Sequence, residues 1–337
     1  MKSILRKTTF LAVFFGAAVL WADQQGWFPH EGGLLKFSVN IKFGEEPVDT
    51  LPAGWKLGRV SAVGVDSAGN VYVAQRGQKA DPIIVFDASG KYLRSWGKGM
   101  FGAAHGLRLD KNDNVFVTDI TNHQVMKFTK EGKVLFTLGT KGVSGNDEKT
   151  FNRPTDIAFA LNGDFYVSDG YGNSRVLRFS PQGKYLMQWG KPGRGPGEFQ
   201  VPHALQVDSK GLVYVSDREN NRIQIFDANG KFIKQWNHLG ATQGMVIKPG
   251  DDLWILTHRD NIENLTYDTL AGRIMHINIA TGKVLGAMES PGHSLAAAPN
   301  GHFFVGSLTG NVFHWYPLWL EHGIGSLDPP RPKDPYR

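Results

Sequence analysis

The sequence predicts an all-β fold, a six-bladed β-propeller, and three observations support that prediction. Six segments of the 337-residue chain share one pattern and superpose without gaps, at intervals of 40 to 50 residues. Each segment contains two runs of alternating apolar residues around a turn rich in Gly, Asn and Asp, which is typical of a β-hairpin. Several segments continue into a third and a fourth short apolar run. Four strands repeated at this period are typical of propeller blades.

The six hairpin segments can be followed along the printed sequence. In chain order they read "VSAVGVDSAGNVYVAQ", "AHGLRLDKNDNVFVTD", "PTDIAFALNGDFYVSD", "PHALQVDSKGLVYVSD", "TQGMVIKPGDDLWILT" and "GHSLAAAPNGHFFVGS". Third strands follow as "HQVMKFT", "SRVLRFS" and "NRIQIFD", and fourth strands as "KYLRSWG", "KVLFTLG", "KYLMQWG" and "KFIKQWN". We therefore expect one four-stranded blade from each unit.

The two ends of the repeat region complete the predicted domain. The last unit stops near Pro317 after its third strand, and "LLKFSVNIKF", ahead of the first unit, offers the missing outer strand. We predict a propeller over residues 30–317 whose ring is closed by an N-terminal strand. Residues 318–337 end in "DPPRPKDPYR" and predict a Pro-rich C-terminal tail.

Residues 1–22 have the layout of a signal peptide. Three basic residues precede an apolar run from Phe10 to Trp21, which is short for a membrane span. No clean small-x-small cleavage site follows, so an uncleaved N-terminal anchor stays open beside a cleaved leader. Either reading predicts an exported protein, periplasmic or secreted, that touches a membrane only through that anchor.

Composition narrows the function classes. The net charge is +6 and the basic residues are scattered among acids, so the sequence offers no basic patch for nucleic acid. The chain contains no Cys, which excludes disulfides, thiolate ligands and thiol nucleophiles. Any metal site must use His, Asp, Glu or backbone oxygen. We expect a monomeric globular protein.

One position in the repeat carries the chemistry. The residue at the start of each first strand, which lines the central channel of a propeller, is in turn Ser61, His105, Thr155, His203, Gln243 and His293. Alternate blades of a six-fold ring are related by a third of a turn, so the three His side chains converge with trigonal symmetry. Three imidazoles without thiolates suit zinc and leave a fourth position for water or substrate, as in catalytic zinc sites. Other divalent ions that prefer His remain open.

The loops between second and third strands lie on the same face as these histidines. They place Arg76, Tyr171 and Arg218 near the axis, with His258 or Arg259 in blade five as further candidates. The recurrent "D-x-x-N-x-R" pattern of these loops has a structural interpretation, since Asp and Asn cap the turn and the Arg pairs with it. That interpretation leaves Arg76, Tyr171 and Arg218 unexplained.

Several longer phrases resemble the peptidyl-α-hydroxyglycine α-amidating lyase family, whose members are NHL-repeat propellers. The phrases are "HGL" at 105–107, "DGYGNSRVLRFSPQGKYLMQWG" at 169–190, "FQVPHALQVD" at 199–208, "VSDRENNRIQIF" at 215–226 and "PGHSL" at 291–295. The resemblance covers about residues 55–317. It implies a propeller of NHL-like repeats and a lyase that cleaves an N-acyl-α-hydroxyglycine hemiaminal to an amide and glyoxylate.

The resemblance also implies roles for single residues. The three zinc-binding histidines of the family match His105, His203 and His293, and its catalytic tyrosine matches Tyr171. Its first-blade arginine matches Arg76, with a catalytic and substrate-binding role, and a second substrate-binding arginine matches Arg218. The bound substrate would be a small molecule or peptide with a carboxylate.

The family also carries a structural calcium. Its ligands are two backbone carbonyls, matching Val63 and Leu107, and an Asp directly after the third His. The residue at that third position is Ser294, which puts calcium in doubt in this chain.

Other functions compatible with the fold stay open at this point. NHL-repeat propellers also serve as non-catalytic binding modules, here one of the cell envelope that would recognise a peptide or glycan. A lactonase or arylesterase-like hydrolase would need Glu, Asn and Asp at the axial positions, which the sequence does not place there. RNA binding would need a basic patch.

Overall fold

The computed structural model describes residues 37–43, 51–257, 272–290 and 292–317 of the chain. Within these residues lie six antiparallel sheets of four strands each and one two-stranded parallel sheet. The predicted all-β, six-bladed propeller is therefore confirmed. The leader (1–22), the tail (318–337), His258 and Arg259 lie outside the described residues. Among the residues that are described, no helix has the length and apolar character needed to cross a membrane.

Each of the first five blades is an antiparallel meander, in which every strand pairs with the next one along the chain. The first described strand, β1 (Phe37–Phe43), precedes the first blade. The first three blades have these bounds: β2 (Val60–Val65), β3 (Val71–Gln75), β4 (Ile83–Phe86), β5 (Tyr92–Trp96); β6 (Ala104–Leu109), β7 (Val115–Asp119), β8 (Gln124–Phe128), β9 (Val134–Leu138); β10 (Asp156–Phe159), β11 (Phe165–Asp169), β12 (Arg175–Phe179), β13 (Tyr185–Trp189).

Blades four to six follow a short parallel pair of strands, β14 (Lys191–Pro192) and β15 (Glu198–Phe199). A single 3₁₀ turn, Arg218–Asn220, links the second and third strands of blade four. The strands of these blades have these bounds: β16 (Pro202–Val207), β17 (Val213–Asp217), β18 (Arg222–Phe226), β19 (Phe232–Trp236); β20 (Thr242–Lys248), β21 (Asp252–Thr257), β22 (Arg273–Ile277), β23 (Val284–Glu289); β24 (Ser294–Ala297), β25 (Phe303–Gly306), β26 (Val312–Pro317).

The outermost strand of the sixth sheet is β1. It pairs antiparallel with β26, with Phe37 opposite Pro317 and Val39 opposite Trp315. Closure of the ring by an N-terminal strand stays a prediction, because the structure describes β1 by its backbone pairing alone.

The apolar core lies between neighbouring blades. The second strands of blades one to four, β3, β7, β11 and β17, are buried at every residue, whereas the outer strand β13 alternates between half-buried and exposed residues. The buried apolar residues form six clusters, one for each pair of adjacent blades. One cluster joins blades six and one, packing Phe304 and Ala296 against Val63 and Val73. This packing sets the first strands around one axis, on which the site depends.

Candidate active site

The three axial histidines meet at the centre of the ring. His105 and His203 are the second residues of β6 and β16, and His293 directly precedes β24. Their potential ligand nitrogens all lie within 4.8 Å of one another, and the side chains are buried. The ring centroids are 4.8 to 5.2 Å apart. The structure thus brings together the trio that the repeat predicts.

Each histidine is oriented by the next blade around the ring. Nδ1 of His105 donates to the carbonyl of Thr155 (2.8 Å), Nδ1 of His203 to that of Gln243 (2.8 Å), and Nδ1 of His293 to that of Ser61 (2.7 Å). A carbonyl oxygen only accepts, so each Nδ1 must carry the proton and each Nε2 is the unprotonated nitrogen. The six axial positions therefore alternate between a histidine and the carbonyl that orients it.

Burial and neighbouring charges keep His105 and His203 neutral. Burial lowers the pKa of His105 well below its usual value, and His293 and Arg76 lower it further. Burial also lowers the pKa of His203 well below its usual value, with Arg218 as the next cause. Neutral imidazole is the form that binds a metal. Three Nε2 ligands, each oriented through Nδ1 by a carbonyl partner, fit zinc, which takes imidazole nitrogen readily and in catalytic sites uses three protein ligands.

Tyr171 reaches the same centre from the loop between β11 and β12. Its hydroxyl oxygen lies 3.0 Å from Nε2 of His105 and 3.0 Å from Nε2 of His203. Since both nitrogens are acceptors in this tautomer, the phenol is the donor. The guanidinium carbons of Arg153 and Arg218 lie 5.3 and 5.5 Å from the centre of the tyrosine ring. The phenol is thus positioned for proton transfer beside two cations.

A repeated backbone hydrogen bond places the loop residues. An N–H one residue after the second strand, or two residues after it in blade three, donates to the carbonyl two residues before the axial position of the same blade. The bonds are Arg76 to Arg59 (3.0 Å), Tyr171 to Arg153 (3.3 Å) and Arg218 to Val201 (3.1 Å), with Ile120 to Ala103 (3.1 Å) in blade two. Arg76, Tyr171 and Arg218 therefore occupy equivalent positions at one face of the ring, as the sequence predicts.

Arg76 carries an incomplete set of hydrogen bonds. Its Nε donates to the carbonyl of Ala104 (2.8 Å), whereas its Nη2 is buried and has no hydrogen-bond partner in the described part of the chain. Burial lowers the pKa of Arg76 below its usual value. Buried donors in native proteins are normally paired, and an unpaired one costs about 1–3 kcal/mol. The arrangement leaves this donor free for an acceptor that the described residues do not supply.

Arg218 is already paired, but weakly. Its Nε and Nη2 both lie 2.8 Å from Oε1 of Glu219, and its Nη1 lies 3.3 Å from Oε1 of Gln243. The Glu219 side chain is 47% exposed, and ion pairs with exposed partners contribute little. A second carboxylate can therefore replace Glu219 at this guanidinium with a small loss.

The "D-x-x-N-x-R" residues have structural roles, in agreement with the sequence interpretation. Asp169 binds Nε of Arg175 (3.0 Å) and Asp217 binds Nε of Arg222 (2.7 Å), and all four side chains are buried. These pairs stabilise the loops and leave the neighbouring residues Tyr171 and Arg218 to face the axis.

The residues that match the family's calcium ligands do not fit a calcium site, in line with the doubt that Ser294 raises. Val63, Leu107 and Ser294 line a cavity of about 20 Å³ below the histidines. Oγ of Ser294 accepts a hydrogen bond from N of Val63 (2.9 Å). The carboxylate in this cavity belongs to Asp156 and is bound by Nε (2.9 Å) and Nη2 (2.7 Å) of Arg108. Calcium takes six to eight oxygen ligands, usually with carboxylates, so a donor set that contains a guanidinium does not fit it.

Sequence reasoning missed two features of the axis. The Arg108–Asp156 pair spans blades two and three, and Nη1 of Arg108 also donates to the carbonyl of Leu295 in blade six (3.3 Å). The sequence did contain a signal for this pair, because Arg108 and Asp156 are charged residues at inward-facing positions of first strands. Arg153, which lies over the Tyr171 ring, has no comparable signal, because its position depends on a left-handed backbone (φ 63°).

Comparison with known proteins agrees with this geometry. The sequence model of a family described as "6-bladed beta-propeller" matches residues 144–239. "Peptidyl-glycine alpha-amidating monooxygenase A" of Xenopus laevis is 36% identical over 210 residues, which are 53% of this chain and 22% of that protein. "Peptidyl-alpha-hydroxyglycine alpha-amidating lyase 2" of Drosophila melanogaster is 34% identical over 219 residues, or 55% of this chain and 53% of that one. Over about half of its length, this chain is similar to the amidating lyases.

The predicted resemblance to the amidating lyases is thus confirmed, including the NHL-like repeats. The chain spans about half or less of the length of these relatives. Among solved structures, one titled "Streptogramin B lyase structure" superposes with a TM-score of 0.56 at 14% identity, over 83% of this chain and 98% of that one. At that identity the match shows the propeller fold alone.

Proposed function

We propose that this amidating-lyase relative is a zinc-dependent lyase that converts an N-acyl-α-hydroxyglycine into a primary amide and glyoxylate. One observation carries the proposal: three buried histidines bring ligand nitrogens within 4.8 Å of one another, with the Tyr171 hydroxyl 3.0 Å from Nε2 of His105 and of His203. The lyase names of its relatives support the same reaction class.

Zinc would be held by His105, His203 and His293, and when bound it would supply Lewis-acid activation of the substrate hydroxyl. The protein's own residues do the rest. Tyr171 would act as a phenolate, whose negative charge the cations of Arg153 and Arg218 at its ring balance. The phenolate would accept the hydroxyl proton, become the neutral phenol, and then return that proton to the leaving nitrogen.

The reaction balances without any other reactant. The O–H bond and the Cα–N bond of the hemiaminal break, and a C=O bond forms in glyoxylate. The electron pair of the C–N bond leaves with the amide nitrogen, which takes up the proton. No oxidant, reductant or water is consumed, and one proton-shuttling group is enough.

The substrate carboxylate has two guanidinium partners available. The buried Nη2 of Arg76 lacks an acceptor among the described residues, and Arg218 holds only the half-exposed Glu219. A guanidinium matches the two oxygens of a carboxylate, so these arginines would fix the α-carbon of the substrate beside Tyr171 and the histidines. Fixing that carbon orients the bond to be broken, which is a large part of catalysis.

The direct test is release of glyoxylate from N-benzoyl-α-hydroxyglycine. We expect turnover by metal-loaded protein and loss of turnover after treatment with a chelator. Elemental analysis of the purified protein should find about one zinc per chain. Protein that contains zinc yet releases no glyoxylate would contradict the lyase, and protein without a stoichiometric metal would favour a binding module.

We further propose that the protein works outside the cytoplasm as a monomer, on a small-molecule or peptide substrate and without nucleic acid. The support is the leader-like sequence of residues 1–22. Cell fractionation with N-terminal sequencing tests this point, because it distinguishes a cleaved leader from a retained anchor. Recovery in the cytoplasm with an intact N-terminus would contradict it.

A further inference from the structure

A cavity of about 490 Å³ opens beside the candidate active site. The loop that follows β3 and the connection from β5 to β6 form its walls, between blades one and two. Residues of the walls that bear on its chemistry are Trp55, Arg76, Lys79, Asp81, Lys98 and Phe101. Its volume lies within the range of small-molecule sites, about 300–1,000 Å³, and is far larger than glyoxylate requires.

Arg76 belongs to both the cavity and the metal centre. Its Nε binds the carbonyl of Ala104, which lines the cavity and directly precedes His105. The charge of Arg76 lowers the pKa of His105, and Tyr171 acts in turn on the pKa of Arg76 by raising it. A molecule whose carboxylate reaches Nη2 of Arg76 therefore has this cavity next to it. The acyl group is the part of the substrate that needs such space.

The walls combine an apolar surface with excess positive charge. Trp55 and Phe101 supply aromatic surface, and both are half-buried. Lys79 and Lys98 are exposed and make no ion pair with any described residue, while the one wall carboxylate, Asp81, accepts a hydrogen bond from Oγ of Ser95 (2.7 Å). With Arg76 engaged by the substrate's own carboxylate, two lysines remain for a second anion.

We propose that this cavity binds the acyl part of the substrate and selects acyl groups that carry a negative charge. The inference rests on the proposed function, since it names the class of substrate that the lyase would take. An acyl chain with an apolar body would lie along Trp55 and Phe101, and its anionic end would lie between Lys79 and Lys98. An acidic peptide end or a dicarboxylic acid monoamide has this chemistry.

Binding of unreactive N-acylglycines tests the cavity independently of turnover, because they lack the hydroxyl that is cleaved. The probes are N-glutarylglycine, N-pentanoylglycine and N-(5-aminopentanoyl)glycine, which have acyl chains of equal length and differ in charge. Calorimetry on zinc-loaded protein at low salt should rank them anionic, neutral, cationic. Two exposed charge pairs predict about a tenfold preference for the anion over the neutral probe, and salt should reduce it.

Double lysine variants test whether Lys79 and Lys98 cause the preference for the anionic probe. Lys79→Gln/Lys98→Gln should lose most of it and bind the neutral probe unchanged. The matched control, Lys184→Gln/Lys231→Gln, removes the same charge from exposed turns of blades three and four and should keep it. Equal binding of the three probes by the natural protein, or a preference that survives in Lys79→Gln/Lys98→Gln, would overturn the proposal.

Turnover of the corresponding N-acyl-α-hydroxyglycines separates the two proposals. A charge preference in binding without glyoxylate release would overturn the lyase and leave the cavity's selectivity standing. Release of glyoxylate with equal kcat/KM for all three acyl groups would overturn the selectivity and leave the lyase standing.

Discussion

Two arginines near the axis, Arg76 at the histidines and Arg108 below them, differ in how many of their hydrogen-bond donors have a partner. Arg108 donates through Nε, Nη1 and Nη2 to Asp156 and Leu295. Arg76 donates through Nε alone, and its buried Nη2 has no partner among the described residues. The hydrogen bonds of the lower arginine are thus complete, whereas the upper arginine retains a donor for an acceptor that the described residues do not supply.

That difference separates stability from function along one axis. Removing one partner of a buried, fully hydrogen-bonded charge pair destabilises the fold, because it leaves the other charge uncompensated. A buried donor without a partner costs free energy, and such a cost is typical of sites that receive a ligand. We therefore expect changes in the upper part to alter activity and changes in the lower part to alter the free energy of unfolding.

The largest expected effect is on activity, from Tyr171→Phe. Loss of a positioned proton-transfer group should lower kcat by about 10²- to 10⁴-fold. Zinc content should stay unchanged, because the phenol oxygen is not one of the three ligands. The melting temperature should change little, because only the hydrogen bonding of the phenol to the histidines is lost. Glyoxylate release and elemental analysis on the same sample check this, and full activity would remove Tyr171 from the mechanism.

The second effect is on stability, from Arg108→Met. Removing one partner leaves the buried Asp156 carboxylate uncompensated, which costs about 3–5 kcal/mol. Urea unfolding measures the loss. Arg108→Met/Asp156→Leu should recover most of it, because the double variant buries no charge. If the single variant is as stable as the natural protein, the pair does not hold the lower part of the axis.

The third effect is that of Arg76→Met, which makes at the histidines the same substitution that Arg108→Met makes below them. Arg76→Met should raise KM by at least about tenfold, since a charged hydrogen bond contributes about 1.5–3 kcal/mol. Its free energy of unfolding should change by less than about 1 kcal/mol, because the lost bond to Ala104 is offset by removal of an unpaired buried donor. An unfolding loss as large as that of Arg108→Met would erase the distinction between the two regions.

The smallest effect is that of calcium. Because Arg108 binds Asp156 and Ser294 binds the backbone of Val63, we expect no change in melting temperature when calcium is added or removed with a calcium-selective chelator. Zinc, by contrast, should raise the melting temperature, since a ligand that binds only the folded state stabilises it. A calcium-dependent rise would mean that a cation site exists beside the ion pair.

The histidine trio was accessible from sequence because its position is periodic. Six superposed repeats put His105, His203 and His293 at one strand position, and the six-fold ring makes alternate blades converge. The same reasoning located Arg76, Tyr171 and Arg218, since one backbone hydrogen bond repeats in each of these blades. Periodic placement needs no knowledge of side-chain conformation.

Side-chain contacts between different blades could not be predicted from the sequence. Arg108 spans from blade two to Asp156 in blade three and to Leu295 in blade six, and repeat alignment does not encode such contacts. Arg153 lies over Tyr171 only because its backbone is left-handed, and the cavity beside Arg76 depends on how two loops pack. Non-periodic contacts of this kind require the assembled ring.

The central claim is that three histidines hold one metal ion on which glyoxylate release depends. Titration of metal-stripped protein with zinc, followed by glyoxylate release from N-benzoyl-α-hydroxyglycine, tests it most directly. We predict activity that rises linearly and levels off at one zinc per chain, and no recovery in the His203→Ala variant. Activity in the stripped protein, or full recovery in that variant, would contradict the claim.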